Sequence, residues 1–119
     1  MGKYTEKISA PLLELNISEQ GSAIIVKCAG RLAAENAAVL KDQVKQMIPH
    51  EKRIVLDLTN LASMDSSGLG TVVGLYVSGR KAKCEIQLVN LSAKVRELLG
   101  MSNLLSVFAD CGNYGVRMP

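Results

Sequence analysis

Arg53-Ile54-Val55-Leu56-Asp57-Leu58-Thr59-Asn60-Leu61-Ala62-Ser63-Met64-Asp65-Ser66-Ser67-Gly68-Leu69-Gly70 is the stretch on which the fold turns. Residues 53–58 are β-branched and nearly continuously aliphatic, as in a strand covered on both faces. Residues 59–64 read as a loop. Asp65 is then placed to cap a helix, since its carboxylate can accept backbone N–H groups that have no intrahelical partner. The helix is expected to run to about Ser78 and to stop at Gly79, with Arg80, Lys81 and Lys83 favourable at its negative end. At about 100° per residue, Leu69, Val72, Val73 and Tyr76 share one stripe, and Ser67, Thr71, Gly74 and Ser78 fall opposite. That outer row holds only small residues, so another backbone can approach it and Ser67 stands unobstructed at its edge. Asp-Ser-Ser-Gly is also ordinary capping chemistry, and Gly70 and Gly74 could equally permit tight packing inside the protein. Each helical glycine costs about 1 kcal/mol relative to alanine, which asks for a close contact, internal or with a partner.

Outward from this stretch the pattern alternates. Leu13, Leu15 and Ile17 interleave with Glu14 and Asn16 as a strand with one covered face. Turn chemistry at 18–22 leads to a second strand, 23–29, its hairpin partner, which Gly30 breaks. Across 34–48, Ala37, Leu40, Val44, Met47 and Ile48 recur at helical spacing until Pro49 stops the helix. Downstream, 84–89 is a strand. Ser92 caps a short helix carrying Val95, Leu98 and Leu99 that Gly100 ends, and 104–108 forms a last strand before a Gly-rich tail. The order β-β-α-β-α-β-α-β predicts an α/β fold, a mixed and largely parallel sheet with helices packed against it. Ligands and partners of such sheets gather at the carboxyl ends of strands, where 65–68 sits.

Composition narrows the function classes. A chain of 119 residues is expected to be one domain, its core about 12–110, and can bury a core without disulfides or metals. Hydrophobic residues at 48% and charged residues at 21% are those of a globular protein. Aromatics at 3% leave nothing for a base-stacking platform, and a net charge of +3 is too weak to argue for nucleic acid. No apolar run approaches the ~20 residues of a bilayer span. The N-terminal stretch has no apolar core and Glu6 fails the myristoylation pattern, so neither export nor lipidation is expected and the cytoplasm is the expected location. Cys28, Cys84, Cys111 and His50 share no ligand spacing, so neither metal nor other cofactor is expected; two of the thiols read as buried strand residues. Catalysis is not expected either. There is no G-x-S-x-G elbow, His50 reads as a solvated loop residue, and Ser78-Gly79-Arg80-Lys81 reads as helix-end chemistry rather than an S-x-x-K site. Gly68, Gly70 and Gly74 lack the dinucleotide spacing.

The run 54–58 followed by Met64-Asp65-Ser66-Ser67-Gly68-Leu69-Gly70 resembles the signature of STAS domains, particularly bacterial anti-sigma factor antagonists. The likeness continues through Gly30-Arg31-Leu32, Ile86-Gln87-Leu88-Val89-Asn90, Val95-Arg96-Glu97-Leu98-Leu99 and Met101-Ser102-Asn103-Leu104, nearly the whole chain after Leu13. The resemblance implies a non-enzymatic switch. An anti-sigma factor that is also a serine protein kinase binds the unmodified antagonist; phosphorylation of Ser67, or less favourably Ser66, breaks that complex, and a serine phosphatase restores it. The surface implied is Asp65, Ser66, Ser67, Gly68, Thr71, Gly74 and Ser78. The rival within the family is a scaffold or subunit of a signalling or lipid-transport assembly, without phosphorylation. One position departs: where many antagonists carry Asp after Gly-x-Leu, this chain has Ala33. A carboxylate there would cap the first helix, so Ala33→Asp is expected to raise thermal stability.

Overall fold

Alternation of side chains decides which face of the sheet is covered. The computed structural model describes residues 5–90, which form β1 (Thr5–Ala10), β2 (Leu13–Gln20), β3 (Ala23–Leu32), α1 (Ala37–Met47), β4 (Arg53–Met64), α2 (Ser66–Lys81) and β5 (Glu85–Val89). A single 3-10 turn, Ile48–His50, follows α1 and has Pro49 in it. The strands lie in chain order in one five-stranded sheet, β1-β2-β3-β4-β5. β1/β2 and β2/β3 are antiparallel; β3/β4 and β4/β5 are parallel and enclose the two helices as crossovers. Every second residue of the strands is buried: Leu13, Leu15 and Ile17, then Ile24, Val26 and Cys28, then Ile54, Leu56 and Leu58, then Ile86 and Leu88. They share one core with Ala37, Leu40, Val44 and Met47 of α1 and Val72, Leu75 and Tyr76 of α2. The α/β class and the opening hairpin are as expected. The predicted helix at 92–99 and strand at 104–108 lie outside the described residues.

The differences from expectation have physical causes. β1 carries too little apolar signal to be read, because it is an edge strand from which only Ile8 and Ala10 pack on the core. Gly30 does not break β3, which runs to Leu32. Gly30 takes a positive φ of 106°, and a Cβ there would collide with the Leu12 carbonyl oxygen, so glycine lets the strand pass close beneath the β1–β2 turn. Residues 59–64 are strand, not loop. The pairing steps from Lys27↔Asp57 to Ala29↔Asn60 and from Gly30↔Leu61 to Arg31↔Ser63, so β4 accommodates two extra residues as bulges. Bulges break the period of two, which is why the buried pair Leu58 and Leu61 looks irregular in sequence.

Both helices also differ at their ends. α1 begins at Ala37, and α2 continues through Gly79 to Lys81. Gly79 is buried, and a Cβ on it would meet Ile86 Cγ1 at 2.5 Å and the Cys84 carbonyl at 2.6 Å. It is the contact between α2 and β5, not a stop. The buried stripe of α2 is Gly68, Val72, Leu75, Tyr76 and Gly79, with Leu69 and Val73 only half-buried. Among the described residues Gly70 and Gly74 meet nothing within 4 Å, so packing among those residues does not account for them.

Ala33 is fully enclosed. Its N–H donates to the Asn36 side-chain oxygen at 3.0 Å, and its carbonyl accepts from Asn36 and Ala37 at 3.0 and 2.8 Å. The helix cap lies three residues further on, and a carboxylate at 33 would be stripped of water and set close to the Asp65 carboxylate, which bonds the neighbouring Ala34 N–H. The expected gain from Ala33→Asp is therefore reversed. Ala33→Asp should lower the melting temperature; a rise would restore the capping argument. Thermal unfolding of three glycine variants checks the packing. Gly70→Ala and Gly74→Ala should each stabilise by up to about 1 kcal/mol. Gly79→Ala should destabilise by about 1–3 kcal/mol, because backbone and a core isoleucine must move.

Candidate functional site

Asp65 builds the corner between β4 and α2. It is the N-cap, with extended backbone, and its Oδ1 accepts the Gly68 N–H at 2.9 Å. Its Oδ2 accepts the Ala34 N–H at 3.2 Å, and its own N–H donates to the Leu32 carbonyl at 3.1 Å. One residue thus ties the segment after β3 to the start of α2. Gly68 completes the join: a Cβ there would lie 2.5 Å from the Leu32 carbonyl oxygen, so α2 can approach β3 this closely only with glycine. The Gly68 N–H holds the Asp65 carboxyl below the ordinary aspartate range. Partial loss of water works against that, while the Ala34 and Ser67 N–H groups and the Arg31 charge reinforce it.

With Asp65 and Gly68 turned to the corner, Ser66 and Ser67 are left exposed. Beyond them α1 and α2 pack side by side and leave a groove of about 480 Å³. Ser67, Gly70, Thr71, Gly74, Leu75 and Ser78 line its α2 side; Lys41 and Lys45 line its α1 side. The sequence-derived row Ser67, Thr71, Gly74 and Ser78 is brought together here. Asp65, Ser66 and the buried Gly68 are not part of the lining; Ser66 stands beside Ser67 at its mouth, and the other two position the helix. The two lysines were missed. They sit four residues apart on an exposed face of α1, a signal that identifies them only once α1 is known to flank α2.

Away from the groove, the polar groups of the described residues at the β4 bulge bond to one another. Asp57 lies at the first β4 bulge, where its Oδ1 accepts the Thr59 N–H at 3.0 Å, the Thr59 hydroxyl at 2.6 Å and the Asn90 amide at 3.2 Å. Burial pushes its carboxyl up, but these donors and Lys27 outweigh it and hold the group below its ordinary range. Burial, with Asp57 nearby, pushes the Cys28 thiol up to about 12; Cys84, buried and beside Glu51 and Glu85, is pushed up to about 11. Neither thiol is a nucleophile at neutral pH. His50 is exposed at the end of the 3-10 turn.

The serine-bearing corner at the end of a parallel strand, followed by a helix with a small-residue outer face, has a counterpart among known proteins. The family described as Mlab, STAS domain matches residues 15–107. This chain belongs to the STAS domain family. Its relatives include an anti-sigma F factor antagonist of Paenibacillus polymyxa, 30% identical over 97 residues, covering 80% of this chain and 83% of that protein. The anti-sigma factor antagonist SpoIIAA in its unphosphorylated form shares the STAS fold with a TM-score of 0.67 at 22% identity, over 76% of this chain and 81% of that one. An anti-sigma factor antagonist from Mycobacterium paratuberculosis does so with a TM-score of 0.74 at 18% identity, over 85% and 87%.

In this STAS domain the Asp65 anchor has a pH signature. A carboxyl held below its unfolded-state range adds stability at neutral pH that is lost as the pH falls through its folded value. Asp65→Ala should therefore melt below the wild type at pH 7, and the gap should narrow as the pH drops below about 4. A gap independent of pH would mean that the carboxylate is not the anchor.

Proposed function

We propose that this STAS domain is an anti-sigma factor antagonist, a non-enzymatic switch that binds an anti-sigma factor with serine kinase activity and is released when Ser67 is phosphorylated. The observation that carries the reading is the exposed Ser67 on a groove whose helix carries two glycines with no contact among the described residues. The relatives support it: several are named anti-sigma factor antagonists, and SpoIIAA has been solved in unphosphorylated and phosphorylated forms.

The chemistry follows from the corner. Ser67 lies in the first turn of α2, where the hydroxyl is open to a kinase. In the transfer, Ser67 Oγ loses its proton and bonds the γ-phosphorus of ATP, and ADP departs. The product carries about −1.5 to −2 charges at neutral pH. A helix start tolerates an anion, so the domain keeps its fold. What changes is the docking surface. A partner backbone that fits against Gly70, Thr71 and Gly74 meets bulk and charge at the edge of its contact. The cap residue Asp65 keeps α2 in place in both states. A serine phosphatase resets the switch by hydrolysis.

The test pairs binding with mass spectrometry. Incubation with a candidate kinase and ATP should place phosphate on Ser67, and Ser67→Ala should abolish it while still binding. Ser67→Asp should weaken partner binding about tenfold or more, a loss of at least ~1.4 kcal/mol. Gly70→Ala and Gly74→Ala should weaken the same complex although they stabilise the free domain, a combination that internal packing does not produce. The second reading is a STAS subunit of a signalling or lipid-transport assembly. If Ser67→Asp leaves partner binding intact and no cognate kinase modifies Ser66 or Ser67, that reading replaces the first.

A further inference from the structure

Among the described residues, Lys41 and Lys45 are the charged side chains of the α1–α2 groove, and no acidic residue lines it. Among the described residues the ion pairs are Lys7–Glu14 and Arg53–Glu85, so neither groove lysine has a carboxylate partner. The two stand one helical turn apart and therefore point the same way from α1. The starts of the two helices are adjacent, since the Ala34 N–H before α1 reaches the Asp65 carboxylate that caps α2. Ser67, in the first turn of α2, opens onto the same groove as both lysines.

On the reading that Ser67 is the phosphorylated residue, we propose that Lys41 and Lys45 receive its phosphate, so that modification fills the groove with the domain's own anion. A phosphate has three acceptor oxygens and close to two charges, and lysine binds it as a mobile point charge at the end of a flexible stem. The charged groups around it are Lys41 and Lys45 from α1, Asp65 from the corner before α2, and Arg31 of β3, whose charge acts on Asp65. The Asp65 carboxylate is held in the corner by the Gly68 and Ala34 N–H groups, and its repulsion drives the phosphate away from the corner and toward the lysines. The modified state is then closed in two ways: the groove is occupied, and the cations that would meet a partner's acidic groups are neutralised. Repulsion by an acidic partner is not required.

The experiment needs neither kinase nor partner. Phosphoserine is incorporated at position 67 during translation, and the phosphate is titrated by 31P NMR at low ionic strength in the otherwise wild-type chain, in Lys41→Met/Lys45→Met and in Lys52→Met. Lys52 is exposed at the opposite end of β4 and controls for net charge. The second phosphate ionisation should lie lower in the wild type than in the double variant by about 0.5 unit, the size expected for cations at short range in a solvated groove. Added salt should narrow the difference. Lys52→Met should match the wild type, and Lys41→Arg/Lys45→Arg should restore its value. Circular dichroism checks the fold of each variant; if the double variant is unfolded, Lys41→Gln alone should give part of the shift. Equal ionisation with and without the groove lysines, or a shift equally large in Lys52→Met, overturns the proposal. Because the phosphate is installed directly, these outcomes stand apart from whether a cognate kinase modifies Ser67.

Discussion

The Asp65 carboxylate holds two loops that are 31 residues apart in sequence against each other, and the arrangement of the site depends on it. With one oxygen it caps α2, and with the other it takes the Ala34 N–H after β3. Caps usually satisfy donors of a single helix. This one also sets where α2 begins relative to α1, because the Asp65 N–H is bonded to Leu32 and α1 opens shortly beyond. The distance between the helices, and so the groove, follows from that join and from Gly68, whose missing side chain lets α2 close onto β3.

The glycines of α2 divide by what they touch. Gly68 and Gly79 are buried and admit the backbone of β3 at one end and the start of β5 at the other. Gly70 and Gly74 face open space on the outer side of the same helix. Glycine disfavours helix wherever it occurs. At the two buried positions, close packing offsets that cost within the domain. At the two exposed ones nothing in the described residues does. A helix weakened on its outer face is consistent with a surface shaped for another chain, and it is the strongest physical reason to place function on this face rather than at the Asp57 bulge, whose polar groups satisfy one another.

Much of this is legible in the amino-acid sequence. Alternation in β2, β3 and β5 and the helical spacing of Leu40 and Val44 depend on local periodicity, which survives in the sequence. The Asp65 cap and the small outer row of α2 were legible for the same reason. Features that depend on distant contacts were not. The bulges in β4 hide its last residues because two extra residues disturb the period of two. Gly79 reads as a helix stop until Ile86 is seen to pack on it. Ala33 reads as a vacant cap until it is seen enclosed, with Asn36 bonding to its N–H.

The α/β class, the strand–corner–helix unit carrying Asp65 and Ser67, and the row of small residues that follows are written in the order of residues along the chain. These are properties of neighbours along the chain: period, capping chemistry and side-chain size. What lies opposite is a matter of three-dimensional packing. It set Lys41 and Lys45 across from Ser67, turned Gly68 and Gly79 inward, and left Gly70 and Gly74 open. The reason is geometric. A groove between two helices is fixed by how each crossover packs back on the sheet, and no local pattern encodes that distance.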